Sequence, residues 1–281
     1  MAFVYGVLFL LVALLVGSVV RAFGSTVIDA QVLRVQSAYR LPVRGEVQAF
    51  VTRRTASRHR AIRIGQLAGV AVAIAIGALI HATVTNWVWI VIAGSILGWM
   101  TALCVSGLRE LNRASPGGIA RAVAVGIDDY LAPLHHALAG VAIACGIVVV
   151  WASTRLHGFD LATWSALALA FATFALAEFA SRRLVTRPQP AGTDLELAWS
   201  DALRAQLVRD FYSAPVGFAM GAAVLGLRSI LGQNLVDSMF PYLTLAFVIS
   251  GAIAALIAQR LGLELYVLRR LWPSQLKSGW Y

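Results

Sequence analysis

Residues 135–180 read HHALAGVAIACGIVVVWASTRLHGFDLATWSALALAFATFALAEFA, and this stretch decides the fold. From His135 to Thr154 there is no Asp, Glu, Lys or Arg, and from Phe159 to Ala180 only Asp160 and Glu178 carry charge. About 20 apolar residues rising about 1.5 Å each cover the roughly 30 Å of hydrocarbon in a bilayer. Arg155-Leu156-His157-Gly158 lies between the two blocks and leaves room only for a tight reversal. The stretch therefore predicts two membrane-spanning helices joined by a turn around Gly158.

The same pattern extends in both directions. Apolar blocks recur at Phe3–Val20, Ile64–Val84, Trp87–Leu108, Ala214–Leu231 and Met239–Gln259. The expected fold is an all-α, polytopic membrane helical bundle of seven transmembrane helices: one N-terminal helix, then three hairpins. The first two hairpins turn at Thr85-Asn86 and around Gly158. The first block lacks the basic n-region of a cleaved signal peptide and is read as a span.

Composition agrees. The 281 residues are 59% hydrophobic and 13% charged, with a mean hydropathy of +0.78. A soluble domain puts about a quarter of its residues into charges to cover its surface. The whole chain, 1–281, is thus expected to be a single membrane domain.

Basic residues near span ends stay on the cytoplasmic side. Eight arginines lie between Arg34 and Arg63; Arg109, Arg113 and Arg121 follow the third span; Arg182, Arg183, Arg187, Arg204 and Arg209 follow the fifth; Arg260, Arg269, Arg270 and Lys277 follow the seventh. The alternate loops carry only Arg155 and Arg228. The N-terminus is expected outside and the C-terminus in the cytoplasm, in a bacterial cytoplasmic membrane. The net charge of +10 is thereby assigned to topology and to anionic lipid headgroups. Arginines spread over every inner loop without a reading element exclude a nucleic-acid partner.

The inner segments have helical signals of their own, around 31–63, 116–132 and 194–212. Between Gln31 and Arg63, Pro42 and Gly45 predict two short helices with a bend. Ser115-Pro116 caps a second segment carrying Ile119, Val123 and Ile127. Thr193-Asp194-Leu195-Glu196 has the spacing of a capping box, and Leu195, Trp199, Ala202 and Leu203 follow near helical period. Leu195, Trp199 and Leu203 are the candidate interface for another membrane or cytoplasmic protein subunit, with Asp201 and Arg204 at its polar margin. Pro133 and Pro215 are read as points where the chain enters the bilayer.

Leu67-Ala68-Gly69-Val70-Ala71 recurs as Leu138-Ala139-Gly140-Val141-Ala142, which suggests an internal repeat of inner helix plus hairpin. Small residues at four-residue steps, Gly69-Ala73-Gly77 and Gly94-Gly98 and Gly217-Gly221, predict close helix packing.

Candidate polar or coupling sites are few. Asp128 and Asp129 precede His135 and His136 by seven residues, near enough to two helical turns to place acid and imidazole on one face, though Pro133 intervenes. The acidic pair resembles part of the motif of membrane prenyl-transferring enzymes, and the further spaced aspartates are missing, so that assignment is rejected. Glu178 intrudes into an apolar span near its inner end, with Arg182 four residues later as a partner on the same face. His81 lies near the outer end of its span. Cys104 and Cys145 sit in apolar blocks and read as small hydrophobes. Trp87, Trp89, Trp99, Trp151 and Trp164 read as interfacial anchors. There is no phosphate loop, no metal-ligand spacing, no haem attachment motif and no serine–histidine–acid arrangement, so no catalytic residue, metal or cofactor is expected.

Transport is the commonest work of proteins with this many spans. The expected function is a membrane transport component, possibly a permease subunit working with a separate ATP-binding protein, since no nucleotide motif is present. A noncatalytic assembly or regulatory subunit is the alternative, and a membrane-embedded enzyme the third.

Overall fold

The computed structural model describes residues 25–43, 45–79, 84–111, 125–187, 191–231 and 265–273. Those residues form eight helices and no strand: α1 (Ser25–Tyr39), α2 (Glu46–Leu79), α3 (Val84–Leu111), α4 (Ile127–Tyr130), α5 (Pro133–His157), α6 (Leu161–Val185), α7 (Asp194–Leu231) and α8 (Tyr266–Leu271). Five of them, α2, α3, α5, α6 and α7, are long and apolar enough to cross a membrane. Large apolar side chains such as Val72, Leu79, Val141, Val148, Trp151 and Phe179 face outward on them. A water-soluble protein would bury such a surface; here it fits a hydrocarbon solvent, and the chain is an integral membrane protein. The expected spans Phe3–Val20 and Met239–Gln259, the cap at Ser115-Pro116 with Ile119 and Val123, and His81 lie outside the described residues.

Among the described residues the chain divides into two compact units, one holding α1–α3 with residues 182–207, the other holding residues 126–181, 208–231 and 265–273. In the first unit α2 and α3 pack backbone to backbone. A Cβ placed on Gly69 would strike the carbonyl oxygen of Gly94 and come within 2.9 Å of the Gly98 Cα; one on Gly65 would strike Ala102 and Gly98; one on Gly77 would meet the Trp87 ring at 2.7 Å. The contacts advance along one helix as they retreat along the other, so α2 and α3 are antiparallel. Gly69 and Ala73 pack against Gly94 and Gly98 as expected, while Gly77 packs on the Trp87 ring.

At the other end of that unit, α1 ends where Arg40 takes a left-handed φ of 53° and its N–H donates to the Gln36 carbonyl at 2.8 Å. Pro42 prevents the helix from continuing, and Gly45, with φ 54°, turns the chain into α2. This is the expected bend, but the second helix is not short: α2 runs on unbroken for 34 residues, about 51 Å. Its arginine-bearing first half and its apolar second half form one rod. The helix α3 likewise begins at Val84, so Thr85 and Asn86 belong to its first turn rather than to the reversal between spans.

The second unit is a three-helix packing. Along α5, His136, Gly146 and Thr154 lie next to Glu178, Leu167 and Trp164 of α6, so α6 returns antiparallel. His136, Gly146 and Gly226's neighbour Val149 meet Tyr212, Ala219 and Gly226 of α7, so α7 runs parallel to α5. Alternate traversal by these three helices agrees with the expected order of spans. The α5–α6 turn is closed by Gly158, whose φ of 85° suits glycine, and whose N–H donates to Thr154 O at 3.0 Å. Asp160 then caps α6, accepting from the Thr163 N–H at 3.0 Å and from the Thr163 hydroxyl.

Pro215 lies inside α7, which is helical for all 38 residues. Pro215, read as the point where the chain enters the bilayer, therefore sits in the interior of a helix rather than at the start of one. Its missing N–H removes one intrahelical bond, but Phe211, Tyr212, Ala214, Phe218 and Ala219 are buried on either side, and packing holds the helix through it. Pro133 behaves as expected, in the first turn of α5 after Ala132.

Candidate functional site

Three polar side chains meet in the second unit, one from each of its long helices. His136 is in the first turn of α5, where Pro133 sets the start of the helix. Glu178 lies two turns before the end of α6, and Tyr212 is at the inner end of the apolar half of α7. His136 Nε2 is 2.7 Å from the Tyr212 hydroxyl and 3.4 Å from Glu178 Oε2. The Tyr212 hydroxyl donates to the same Glu178 Oε2. A phenol has a single hydrogen, and it goes to the carboxylate, so the phenol oxygen accepts from His136 Nε2–H. This pairing belongs to the tautomer of His136 that carries its proton on Nε2.

Packing holds the phenol ring in place. The His136 ring stands edge-on to it at 4.5 Å and the Phe174 ring at 5.9 Å. The histidine and glutamate side chains are 31% and 28% exposed, so the group is only partly enclosed. Next to it, His135 keeps Nδ1 buried without a hydrogen-bond partner among the described residues, as does the Ser181 hydroxyl one turn beyond Glu178.

The structure separates the residues that the sequence grouped. Asp129 does not meet a histidine: Oδ2 accepts the Gly126 N–H at 2.9 Å, and Oδ1 accepts from Arg270 Nε at 3.1 Å. The Tyr266 hydroxyl donates to the Asp128 backbone carbonyl at 2.8 Å. Both aspartates therefore serve the contact between α4 and α8. The reason is the Leu131–Ala132 extended link before Pro133, which breaks the helical register that a seven-residue spacing needs. His136 and Glu178, expected separately, come together. Glu178 was expected to pair with Arg182 along one helix face; its hydrogen bonds to His136 and Tyr212 cross to α5 and α7. Tyr212 was missed, although its sequence position at the inner edge of an apolar block, level with His136 and Glu178 once spans alternate, could have found it.

The candidate partner surface is covered by the chain itself. Thr193 caps α7 as expected, accepting the Glu196 N–H at 3.2 Å, while the returning bond of the box shifts by one residue, the Glu196 carboxylate accepting the Gly192 N–H at 2.8 Å. Leu195 is half-buried, Trp199 fully buried and Leu203 buried. The Trp199 indole N–H donates to Pro42 O at 3.0 Å, and Arg54 Nη1 donates to Ser200 Oγ at 3.0 Å. Asp201 and Arg204 are buried rather than marginal. Arg204 Nη1 donates to the carbonyls of Val185 at 3.3 Å and Arg187 at 3.1 Å, satisfying the exposed end of α6.

Among the described residues no three His, Cys, Asp or Glu side chains come close enough to hold a metal ion. No family model, no curated protein and no solved structure matches the chain.

Proposed function

We propose that the chain is a membrane transport component whose coupling centre is His136, Glu178 and Tyr212. One observation carries the reading: three hydrogen-bonding side chains, an imidazole, a carboxyl and a phenol, are drawn from three separate apolar helices to one point. Polar groups in spans are expensive and are retained where an ion, proton or substrate is handled. A joint made by three helices also senses their relative position, which a coupling site requires. In this reading the chain has seven spans in a bacterial cytoplasmic membrane, with the N-terminus outside, the C-terminus inside, and anionic lipids against the inner arginines. A separate ATP-binding protein is the partner that a permease subunit of this kind would use.

The second reading is a noncatalytic assembly subunit. It is favoured by the inner layer around Trp199, Arg204 and Arg54, a packed platform that needs no substrate path.

Purification of the chain in native lipid patches, followed by identification of bound proteins, separates the two. A stoichiometric ATP-binding subunit whose hydrolysis rate falls at least severalfold on Glu178→Gln supports transport. A complete transporter or enzyme that copurifies and keeps its activity with Glu178→Gln favours the assembly role.

A further inference from the structure

The coupling ion of this centre is a proton, and we propose that Tyr212 relays it between His136 and Glu178. The proposal rests on the transport reading for its physiological use, while the relay itself follows from the hydrogen-bond directions. His136 Nε2–H points at the phenol oxygen at 2.7 Å, and the phenol O–H points at Glu178 Oε2. The direct His136–Glu178 separation is 3.4 Å, beyond the usual range for such a bond. The connected path through the phenol is the better conductor.

The step balances without any co-reactant. From an imidazolium and a carboxylate, the His136 Nε2–H bond breaks as a new O–H bond forms on Tyr212. The original Tyr212 O–H bond breaks as an O–H bond forms on Glu178 Oε2. The products are a neutral imidazole, a carboxylic acid and an unchanged phenol, with both hydrogen bonds reversed in direction. One ion pair has become one neutral pair. Since each of the three groups belongs to a different helix, displacing any one helix opens the chain of bonds and traps the proton on whichever group holds it.

Other charged or titratable side chains within one turn on these helices are His135 on α5, Arg182 on α6, and Arg209 and Asp210 on α7. On the adjoining short helices Asp129 is engaged by Arg270 and Asp128 is the remaining acid. Their charges bias where the proton rests.

The test uses the full chain in lipid nanodiscs, taken from acid to alkaline pH in a single jump without substrate. The carboxylic acid stretch lost in Glu178→Gln is followed by infrared difference spectroscopy, and the ring-nitrogen resonances lost in His136→Gln by nuclear magnetic resonance. After a pH jump both signals of the native chain should change at one common rate, because the proton passes between the two groups through the phenol. Tyr212→Phe keeps the ring against Phe174 and His136 and removes only the oxygen, so the two rates should separate. A common rate that survives in Tyr212→Phe overturns the relay, and so does a Glu178 signal that never changes. A melting temperature matched to the native chain certifies that Tyr212→Phe is folded, and Tyr212→Trp provides a second hydroxyl-free variant. A common rate lost in Tyr212→Phe, in a chain whose partner activity ignores Glu178→Gln, upholds the relay and removes the transport reading, so the two failures are distinct.

Discussion

The indole N–H of Trp199 is 3.0 Å from the backbone carbonyl of Pro42, a residue 157 positions earlier in the chain. This bond joins the start of α7 to the bend between α1 and α2 and uses a carbonyl that no helix can satisfy. Trp199→Phe keeps most of the buried area and deletes the donor, so it should cost about 1 kcal/mol. Trp199→Ser should cost several times more, about 3–5 kcal/mol, from loss of the ring. Unfolding in graded detergent mixtures measures both. Equal losses for the two variants would show that the hydrogen bond contributes nothing.

Gly69 and Gly140 occupy the same place in the two copies of Leu-Ala-Gly-Val-Ala but meet different surroundings. A side chain on Gly69 collides with the α3 backbone, and one on Gly140 finds nothing within 4 Å. Gly69→Leu should destabilise by about 1–3 kcal/mol or more through overpacking. Gly140→Leu should change stability by less than about 0.5 kcal/mol. Thermal inactivation in native lipid, followed by the fraction remaining monodisperse, orders the two variants; the reverse order rejects the α2–α3 seam.

Arg204 is buried and donates to two carbonyls at the end of α6. Arg204→Met retains the stem and removes the donors, leaving Val185 and Arg187 carbonyls without them, at a cost of about 1–3 kcal/mol. Hydrogen exchange at residues 182–187 should rise selectively. A uniform rise over the chain would mean that the arginine supports more than this helix end.

The Asp129–Arg270 pair is different because Arg270 is 64% exposed. Exposed ion pairs contribute less than about 1 kcal/mol and are screened by salt. Arg270→Gln should therefore leave the melting temperature nearly unchanged while increasing protease cleavage within α8 at low ionic strength. Molar salt should bring the native chain toward the variant.

Orientation is open to a direct check. Single cysteines at Ser57 and Lys277 should be protected from an impermeant external reagent in intact cells, and one at Gly158 should react. Reaction at Lys277 from outside would overturn the proposed seven-span orientation.

The five long helices were legible because span recognition sums hydropathy over many residues, and no single misplaced side chain upsets the sum. What the sequence could not reveal was where the inner segments end. The polar, arginine-rich start of α2 and the stretch before Pro215 in α7 look like separate elements, since the change from membrane to water changes their composition; the backbone does not register that change and stays helical. The repeat shows the same limit from another side. Ala139 is buried and Ala68 exposed, Val70 is buried and Val141 exposed, so five identical residues present opposite faces. Which face is covered depends on neighbours far away in the chain.

The candidate site was half legible for a related reason. Charge in an apolar block singled out Glu178, and His136 stood beside the second hairpin, but sequence spacing could propose partners only along one helix. The real partners are across helices, where nearness depends on register. Tyr212 had no anomaly to mark it. Trp199 and Leu203 were visible as an apolar stripe, and only packing could tell that their own chain covers them.

The reversal between α5 and α6 has a consequence for how the protein is made. Gly158 returns its N–H to Thr154, and Asp160 absorbs the Thr163 N–H, so the turn satisfies its own backbone donors as it forms. The link between the two spans is only this small knot and its flanking Arg155. Two spans can then enter during synthesis as one preassembled hairpin, without a hydrophilic loop to be threaded across.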